Sequence, residues 1–169
     1  MVDRVSHPWP PVFDSDSRVL ILGTMPSPKS RAIGFYYAHP GNLFWRTLAT
    51  ILDRPEPSRD RTARRAFLLD NHIALWDVLQ SCAIEGANDA SITAPRPNLF
   101  RPIIEQSKID AVFTTGKKAT ELFDQLCFKE AGMRAIYLPS TSPANRAQQA
   151  RPEYWTAWDQ VRDALDNPH

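Results

Sequence analysis

The hydrophobic pattern of the chain is dominated by four short apolar runs, each bounded by polar or turn-forming residues. They occupy residues 18–22, 73–75, 111–115 and 135–138. Strands that are buried on both faces of a parallel sheet read as continuous apolar runs of this kind. We therefore interpret the four runs as the strands of one parallel sheet.

Helical periodicity lies between and after these runs. Apolar residues recur at helical spacing in two sets, Phe44, Leu48, Ile51 and Leu52, and Ala119, Leu122, Phe123 and Leu126. A last helix is expected to begin near Pro152, because proline is favoured in a first turn. Strands that alternate with helices predict an α/β fold, here a three-layer α/β/α sandwich with a central four-stranded parallel sheet. We expect residues 1–169 to form a single domain.

The segment after the first run is far longer than a plain connection requires. It reads GTMPSPKSRAIGFYYAHPGN before the helix that begins near Phe44, whereas most connections in compact domains have about two to six residues. Ligands of open α/β sheets bind at the carboxyl ends of the strands. This segment and those that follow the other three runs are therefore the candidates for a binding site.

Composition narrows the function classes. The 169 residues carry a formal net charge of +1, so any attraction to nucleic acid must come from a local basic patch. Cys82 and Cys127 form no C-x-x-C pair and the four histidines show no ligand spacing, so we expect no metal site. No apolar stretch approaches 18 residues, which predicts a cytoplasmic protein without a membrane span.

Four segments that lie at or near strand ends carry a family resemblance. LILGTMPS, YYAHPGNLFW, IALWDVLQSC and LPSTSPANR follow one another in the order expected of the uracil-DNA glycosylase superfamily. The sequence most resembles the hypoxanthine-DNA (deoxyinosine) glycosylase branch, with the mismatch-specific uracil/thymine branch next. The resemblance implies a uracil-DNA-glycosylase-like fold, damaged DNA as the partner, a monomer, and no metal or organic cofactor.

The resemblance also implies which residues act on the glycosidic bond. In the mismatch-specific branch the third residue of the first motif is an asparagine that positions the attacking water, but here that residue is Met25. The hypoxanthine branch relies on the asparagine of an H-P-x-N-x-F-W segment, which is Asn42. On local sequence alone a helix N-cap is the favoured interpretation of Asn42, and the residue could do both. His39 is either a pocket group or a structural histidine, and Asp77 either orients a base or water or caps the next turn.

The expected base pocket begins with Tyr37, whose ring lies where the family stacks the flipped base. Backbone groups after the first strand would form the pocket floor. Thr115 stands where relatives often have an asparagine that reads the base edge, so base preference cannot be read from it. The full set of expected pocket residues is Gly23, Thr24, Met25, Pro26, Ser27, Tyr37 and Thr115.

The segment after the fourth run resembles the element with which the family enters the DNA helix. Ala144 occupies the position of a bulky wedge, so either the wedge is weak or Asn145 and Arg146 fill the gap. Ser140 and Ser142 are expected to bind phosphates, and Lys117 to add to a basic footprint. The plain alternative is a hydroxyl-rich turn.

The predicted activity is that of a monofunctional DNA glycosylase. Hypoxanthine is the leading base and uracil the next. No lysine is identifiable as a Schiff-base nucleophile, so we expect no strand-cleaving step. Two other hypotheses remain: a non-catalytic nucleic-acid-binding module on the same fold, and a nucleosidase that acts on free inosine.

Overall fold

The computed structural model describes residues 2–167. The strands in that part of the chain are Val2–Ser6 (β1), Val19–Gly23 (β2), Ile73–Asp77 (β3), Leu79–Glu85 (β4), Asn88–Pro97 (β5), Ala111–Thr115 (β6) and Ala135–Leu138 (β7). Its α-helices are Pro28–Ile33 (α1), Phe44–Ile51 (α2), Arg61–Asp70 (α3), Arg101–Glu105 (α4), Lys117–Leu126 (α5), Phe128–Ala131 (α6), Arg146–Gln149 (α7) and Pro152–Asp166 (α8). A 3-10 turn, Pro143–Asn145, leads into α7.

The predicted four-stranded parallel sheet is confirmed. Its strand order is β3-β2-β6-β7, and every neighbouring pair is parallel. The apolar runs match these strands, except that β2 begins and ends one residue later than predicted and β3 extends to Asp77. The register aligns Gly23 with Asp77 at the ends of β2 and β3. The carboxyl ends of neighbouring strands therefore meet at one edge of the sheet.

The side chains of β2 show why the sheet has a layer on each side. Leu20 and Leu22 belong to a core that also contains residues of α4, α5 and α6. Val19 and Ile21 point to the opposite face, where α2, α3 and α8 pack. All four side chains are fully buried, so the predicted three-layer α/β/α sandwich is confirmed.

A second, antiparallel sheet was not predicted from the sequence. Its order is β1-β4-β5, and β1 pairs with β4 from Val2 opposite Glu85 to Ser6 opposite Ser81. β4 starts two residues after β3 ends, so this pairing brings the N-terminal segment to the carboxyl end of β3. The His7 backbone N–H continues the pairing by donating to the Gln80 carbonyl at 2.7 Å.

No helix in residues 2–167 combines the length and the apolar character needed to cross a bilayer.

Candidate active site

A cleft of about 390 Å³ opens at the carboxyl ends of the parallel strands. Its volume lies in the range of ligand pockets in proteins. Most of the predicted site residues line it, namely Gly23, Thr24, Met25, Pro26, Ser27, Tyr37, His39, Asn42, Asp77, Thr115, Ser140, Ser142 and Ala144. Lys117, Asn145 and Arg146 are outside this lining. Residues distant in sequence thus meet in one cleft.

The long segment after β2 folds back toward the sheet through the short helix α1. The Ser27 hydroxyl caps this helix by accepting from the Ser30 backbone N–H at 3.1 Å. The Ser30 hydroxyl in turn accepts from the Ala38 backbone N–H at 3.1 Å. Met25 lines the cleft and packs against the apolar core. This connection therefore brings Tyr37 and Asn42 to the cleft.

The Tyr37 ring is held from one side and at its tip. Phe44 stacks on it with ring centroids 4.0 Å apart and an angle of 8° between the planes. The Tyr37 hydroxyl lies 3.3 Å from the Thr115 hydroxyl. Burial raises the pKa of the Tyr37 hydroxyl, and the charge of Asp77 raises it further, so the phenol stays protonated. Because Phe44 covers one face of the ring, the other face is available to a planar ligand in the cleft.

Gly23 allows the side chains at the floor of the cleft to pack close to the backbone of β2. A Cβ at this position would lie 2.6 Å from Asp77 Oδ1 and 2.8 Å from the Tyr37 hydroxyl. Carbon and oxygen atoms do not approach so closely without displacement. Glycine at the end of β2 therefore lets the side chains of Tyr37 and Asp77 both approach the backbone there.

Asn42 forms a hydrogen bond at the start of α2 and also lines the cleft. Its Oδ1 accepts from the Phe44 backbone N–H at 2.9 Å, so it caps the first residue of α2 from the position before the N-cap, which is Leu43. The half-buried side chain also lines the cleft. An amide oxygen has two lone pairs and its NH₂ has two donors, so the cap leaves an acceptor site and both donors for a ligand or a water.

His39 lies at the mouth of the cleft and is exposed. Its Nδ1 accepts from the Gly41 backbone N–H at 2.9 Å. Because that bond needs an unprotonated Nδ1, the proton of the neutral ring is on Nε2. His39 therefore shapes the turn before Asn42 and offers one ring nitrogen to the solvent side of the cleft.

Asp77 does not cap a turn with its carboxylate; it forms a buried pair with His7. The distance from His7 Nε2 to Asp77 Oδ2 is 2.7 Å, and the two side chains are 2% and 5% exposed. His7 Nδ1 lies 2.9 Å from the Trp9 carbonyl. The other carboxylate oxygen, Oδ1, lies beside Gly23. The pair fixes the carboxylate while one oxygen remains directed to the floor of the cleft.

His7 was missed by the sequence analysis, and no local signal could have found it. It is 70 residues from Asp77 and lies in a polar N-terminal stretch. Three aromatic rings surround its imidazole, those of Trp9, Tyr36 and Trp76, at centroid distances of 5.8 to 6.2 Å. The pairing of β1 with β4 and the bridge between Val12 and Leu75 bring these groups together.

The hairpin between β4 and β5 supplies a wall of the cleft that was also unforeseen. Ile84, Gly86, Ala87 and Asp89 belong to it. Protein atoms crowd the Asp89 carboxyl and raise its pKa, an effect that Lys118 partly offsets, although much of the side chain is exposed. The antiparallel sheet therefore adds a second acidic group to the cleft.

The loop after β7 is ordered by its own side chains. The Ser140 hydroxyl accepts from the Ser142 backbone N–H at 3.1 Å, and the Ser142 hydroxyl accepts from the Ala144 backbone N–H at 3.2 Å. Asn145 Nδ2 donates to the Ser140 carbonyl and to Gln148 Oε1, both at 2.9 Å. Ala144 is exposed at the mouth of the cleft. The Asn145 amide is thus part of the turn.

Two hydrogen bonds join this loop to the segment that carries Asn42. The Leu43 backbone N–H donates to the Thr141 carbonyl at 3.0 Å. The Arg146 guanidinium donates to the Gly41 carbonyl at 2.5 Å and to Gln149 Oε1 at 2.9 Å. Lys117 is exposed at the start of α5. Of the predicted DNA-binding cations, Arg146 is therefore the one bonded directly to the Asn42 segment.

Metal ligation has no candidate in the described part of the chain, where no three His, Cys, Asp or Glu side chains are grouped to hold an ion.

The fold and the cleft define an α/β sandwich protein with a ligand site at the carboxyl edge of its parallel sheet. The family model described as the uracil DNA glycosylase superfamily matches residues 10–162. The chain belongs to the uracil DNA glycosylase superfamily.

Relatives in two archaea support this assignment. The chain is 34% identical over 139 residues to the hypoxanthine DNA glycosylase of Methanosarcina barkeri, covering 82% of this chain and 87% of the relative. It is 32% identical over 155 residues to the hypoxanthine DNA glycosylase of Methanosarcina acetivorans, covering 90% and 97%. A solution NMR structure from M. acetivorans, described provisionally as a uracil DNA glycosylase, superposes with a TM-score of 0.79 at 29% identity over 99% of this chain and 100% of its own.

Proposed function

We propose that the protein is a monofunctional DNA glycosylase that removes a deaminated base, with hypoxanthine as the leading substrate and uracil next. The observation that carries the proposal is the meeting of Tyr37, Asn42 and Asp77 in one cleft of a superfamily member. The names of the two curated relatives favour hypoxanthine. A base inside a duplex must first be rotated out of the stack to reach such a cleft.

Tyr37 and Asp77 would recognise the flipped base. Stacking on the free face of Tyr37 would contribute about 1–3 kcal/mol. Asp77 Oδ1 would accept the imino hydrogen that hypoxanthine carries on N1 and uracil on N3. Adenine has a lone pair at N1 and cannot donate there. With adenine in the cleft, the buried Asp77 Oδ1 would face another acceptor and lack a hydrogen-bond donor, which costs binding free energy. The fixed carboxylate therefore favours the deaminated base over adenine.

Asn42 would direct the water. Its free amide lone pair would accept a hydrogen bond from a water aimed at C1′ of the deoxyribose. As the glycosidic bond breaks, its electron pair leaves with the base, the sugar acquires oxocarbenium character, and the water oxygen bonds to C1′. The proton that the water loses ends on the departing base. An amide is a weak base, so positioning and electrostatics would supply most of the rate.

The remaining proposals concern the whole chain. We propose that the glycosylase domain spans it, works as a monomer on damaged DNA, and resides in the cytoplasm. The two clusters of buried side chains that flank one sheet support a single domain. Two free, buried cysteines are typical of a reducing compartment.

A second candidate function is a nucleic-acid-binding module without catalysis. Met25 favours it, because this thioether occupies the place of the water-positioning asparagine in other branches and packs against the core.

Labelled oligonucleotides test both candidates. Duplexes and single strands containing deoxyinosine, deoxyuridine, deoxyxanthosine or ethenocytosine are incubated with the protein and then treated with alkali, with deoxyadenosine in the same sequence as the control. We expect alkali-dependent cleavage at deoxyinosine and none at deoxyadenosine. Binding without an abasic product from any lesion would support the module instead, and release of hypoxanthine from free inosine would indicate a nucleosidase.

A further inference from the structure

A second cavity, of about 270 Å³, lies on the other side of the Asn42 segment from the cleft. His39 and Asn42 line both cavities. Four arginines line the second one and we call it the arginine cavity: Arg46, Arg59, Arg64 and Arg146. It lies between α2, α3 and the loop that joins them.

The arginine cavity has a large excess of positive charge. Its four guanidinium groups face one carboxylate, that of Glu56. None of the four forms an ion pair with a carboxylate of residues 2–167. Arginine remains charged in proteins, and like charges gathered in a cavity repel one another. The cavity is therefore electrostatically complementary to an anion.

Arg64 is the unusual member of the set, because it is buried and its Nε has no hydrogen-bond partner. The residue is only 8% exposed, and its Nε is fully buried with no hydrogen-bond partner. Its guanidinium carbon lies 4.9 Å from the centre of the Trp45 ring, over which it stacks. Burial lowers the pKa of Arg64 and so does the nearby Arg59, while Glu56 partly offsets both effects. A buried donor without an acceptor is unfavourable, and no hydrogen bond within residues 2–167 engages the guanidinium that lines the cavity, so the group can bind a ligand that supplies acceptors.

We propose that the arginine cavity binds a backbone phosphate of the DNA strand whose flipped nucleotide occupies the cleft, with Arg64 as the central ligand. This inference rests on the proposed function. The planar guanidinium matches two phosphate oxygens, and stacking on Trp45 holds it in one orientation. Because Asn42 lines both cavities, a deoxyribose held at Asn42 would have a flanking phosphate within reach of the arginine cavity.

Free inorganic phosphate offers the same oxygens as a phosphodiester, so the test must distinguish the two sources. The probe for DNA is a duplex with a tetrahydrofuran abasic analogue, which a glycosylase cannot cleave. The variants are Arg64→Met, which keeps much of the side-chain bulk and removes the charge, and Arg65→Met as the matched control. Arg65 is the exposed neighbour on the same helix and lies outside both cavity linings.

For Arg64→Met we expect about tenfold weaker binding to this duplex than for the parent. The slope of log Kd against log salt should decrease by about 0.9, the value for one phosphate contact. Arg65→Met should change both quantities much less. A scan with neutral methylphosphonate linkages should find one position beside the analogue at which parent and Arg64→Met bind equally, because the contact is then absent from both.

The thermal unfolding of the free protein gives an independent readout. Arg64→Met should be about as stable as the parent, because the lost stacking on Trp45 is offset by removal of a buried charge beside Arg59. Arg59→Gln, at an exposed position of the same cavity, should weaken DNA binding and lower the salt slope without changing stability. It keeps the test decisive even if Arg64→Met unfolds.

Equal DNA binding and equal salt slopes for Arg64→Met, Arg59→Gln and Arg65→Met would overturn the inference. A second result would also overturn it: millimolar inorganic phosphate stabilises the parent but not Arg64→Met, while the methylphosphonate scan finds no position that depends on Arg64. The site would then bind free phosphate and not the DNA backbone. Either result would leave the proposed function standing if deoxyinosine is still cleaved. Conversely, an Arg64-dependent phosphate position in a protein that cleaves no lesion would support the phosphate site while the proposed glycosylase activity fails.

Discussion

At the scale of single residues, Gly23 determines how closely Asp77 and Tyr37 can approach the end of β2. Because a Cβ there would collide with Asp77 Oδ1 and the Tyr37 hydroxyl, Gly23→Ala should displace both groups. We expect a loss of about 1–3 kcal/mol in the free energy of unfolding and a fall of about 10²-fold in turnover on deoxyinosine. Denaturant titration and single-turnover assays measure the two effects.

Gly34→Ala is the matched control for Gly23→Ala. Gly34 has a φ of +100° and no atom within 4 Å of a Cβ, so alanine there should strain the backbone without contact to the cleft. We expect a loss of stability with turnover retained. Full turnover in Gly23→Ala would show that the floor tolerates a methyl group and would contradict the packing argument.

The pair of His7 and Asp77 makes a prediction about coupling. His7→Asn cannot reproduce the 2.7 Å bond to the buried carboxylate, so it should lower stability by about 2–4 kcal/mol and turnover by at least tenfold. In a double-mutant cycle with Asp77→Asn, the interaction energy should exceed about 1 kcal/mol. His72→Asn, at an exposed turn position, should change neither quantity. Additive effects at positions 7 and 77 would show that the pair is not a functional unit.

At the scale of elements, the parallel sheet was readable because its strands are apolar on both faces. β6 and β7 have the predicted bounds, and α2 and α8 begin at Phe44 and Pro152 as expected. The antiparallel sheet could not be predicted, because its two outer strands, β1 and β5, are mostly exposed. Only Val5 of β1 is buried, and β5 contains Pro95 and Pro97, which argue against a strand in isolation.

The same difference separates the parts of the site that were predicted from those that were not. The cleft residues on the strand ends could be predicted, because topology alone brings carboxyl ends of parallel strands together. His7 and Arg64 could not be predicted. The role of His7 depends on a partner that is distant in sequence, and that of Arg64 depends on an Nε without a hydrogen-bond partner. Asn42 was ambiguous from sequence, and the structure shows its cap bond while leaving the amide donors in the cleft.

Arg146 provides the test of how the loop after β7 acts with the Asn42 segment. Its guanidinium donates to the Gly41 carbonyl and lies outside the cleft. Arg146→Ala should therefore weaken DNA binding about five- to tenfold and flatten its salt dependence. Arg151→Ala, an exposed arginine before α8 that lines neither cavity, is the control. Equal behaviour of the two variants in fluorescence-anisotropy titrations would assign Arg146 a purely local role.

At the scale of the whole molecule, a net charge of +1 conceals an uneven distribution. Four arginines gather beside the Asn42 segment with one facing carboxylate, while acidic groups line the cleft itself. Such a charge distribution favours binding of the anionic DNA backbone at the arginine cavity and of a neutral base in the cleft. Affinity for DNA should therefore depend strongly on salt although the protein as a whole is nearly neutral.

The buried cysteines report on the integrity of one side of the fold, because both belong to the core cluster that also contains Leu20 and Leu22. Burial raises the pKa of Cys127 to about 12, with a further contribution from Glu130, and burial also raises the pKa of Cys82. Neither thiol should react with Ellman's reagent at pH 8 until the protein unfolds. Because the unfolded thiols ionise near pH ~8.5, their contribution to stability should fall as the pH rises from there toward 12. Rapid labelling of the native protein would contradict this burial.

The central claim is that Asn42 directs a water onto the sugar of a base held in the cleft. The most direct measurement compares Asn42→Ala with the parent on a deoxyinosine duplex, recording the single-turnover rate and Kd together. We expect a rate at least 10²-fold lower with Kd changed less than about threefold; loss of the cap alone would lower stability by about 1 kcal/mol. An unchanged rate, or a rate loss that saturating protein restores, would contradict the claim.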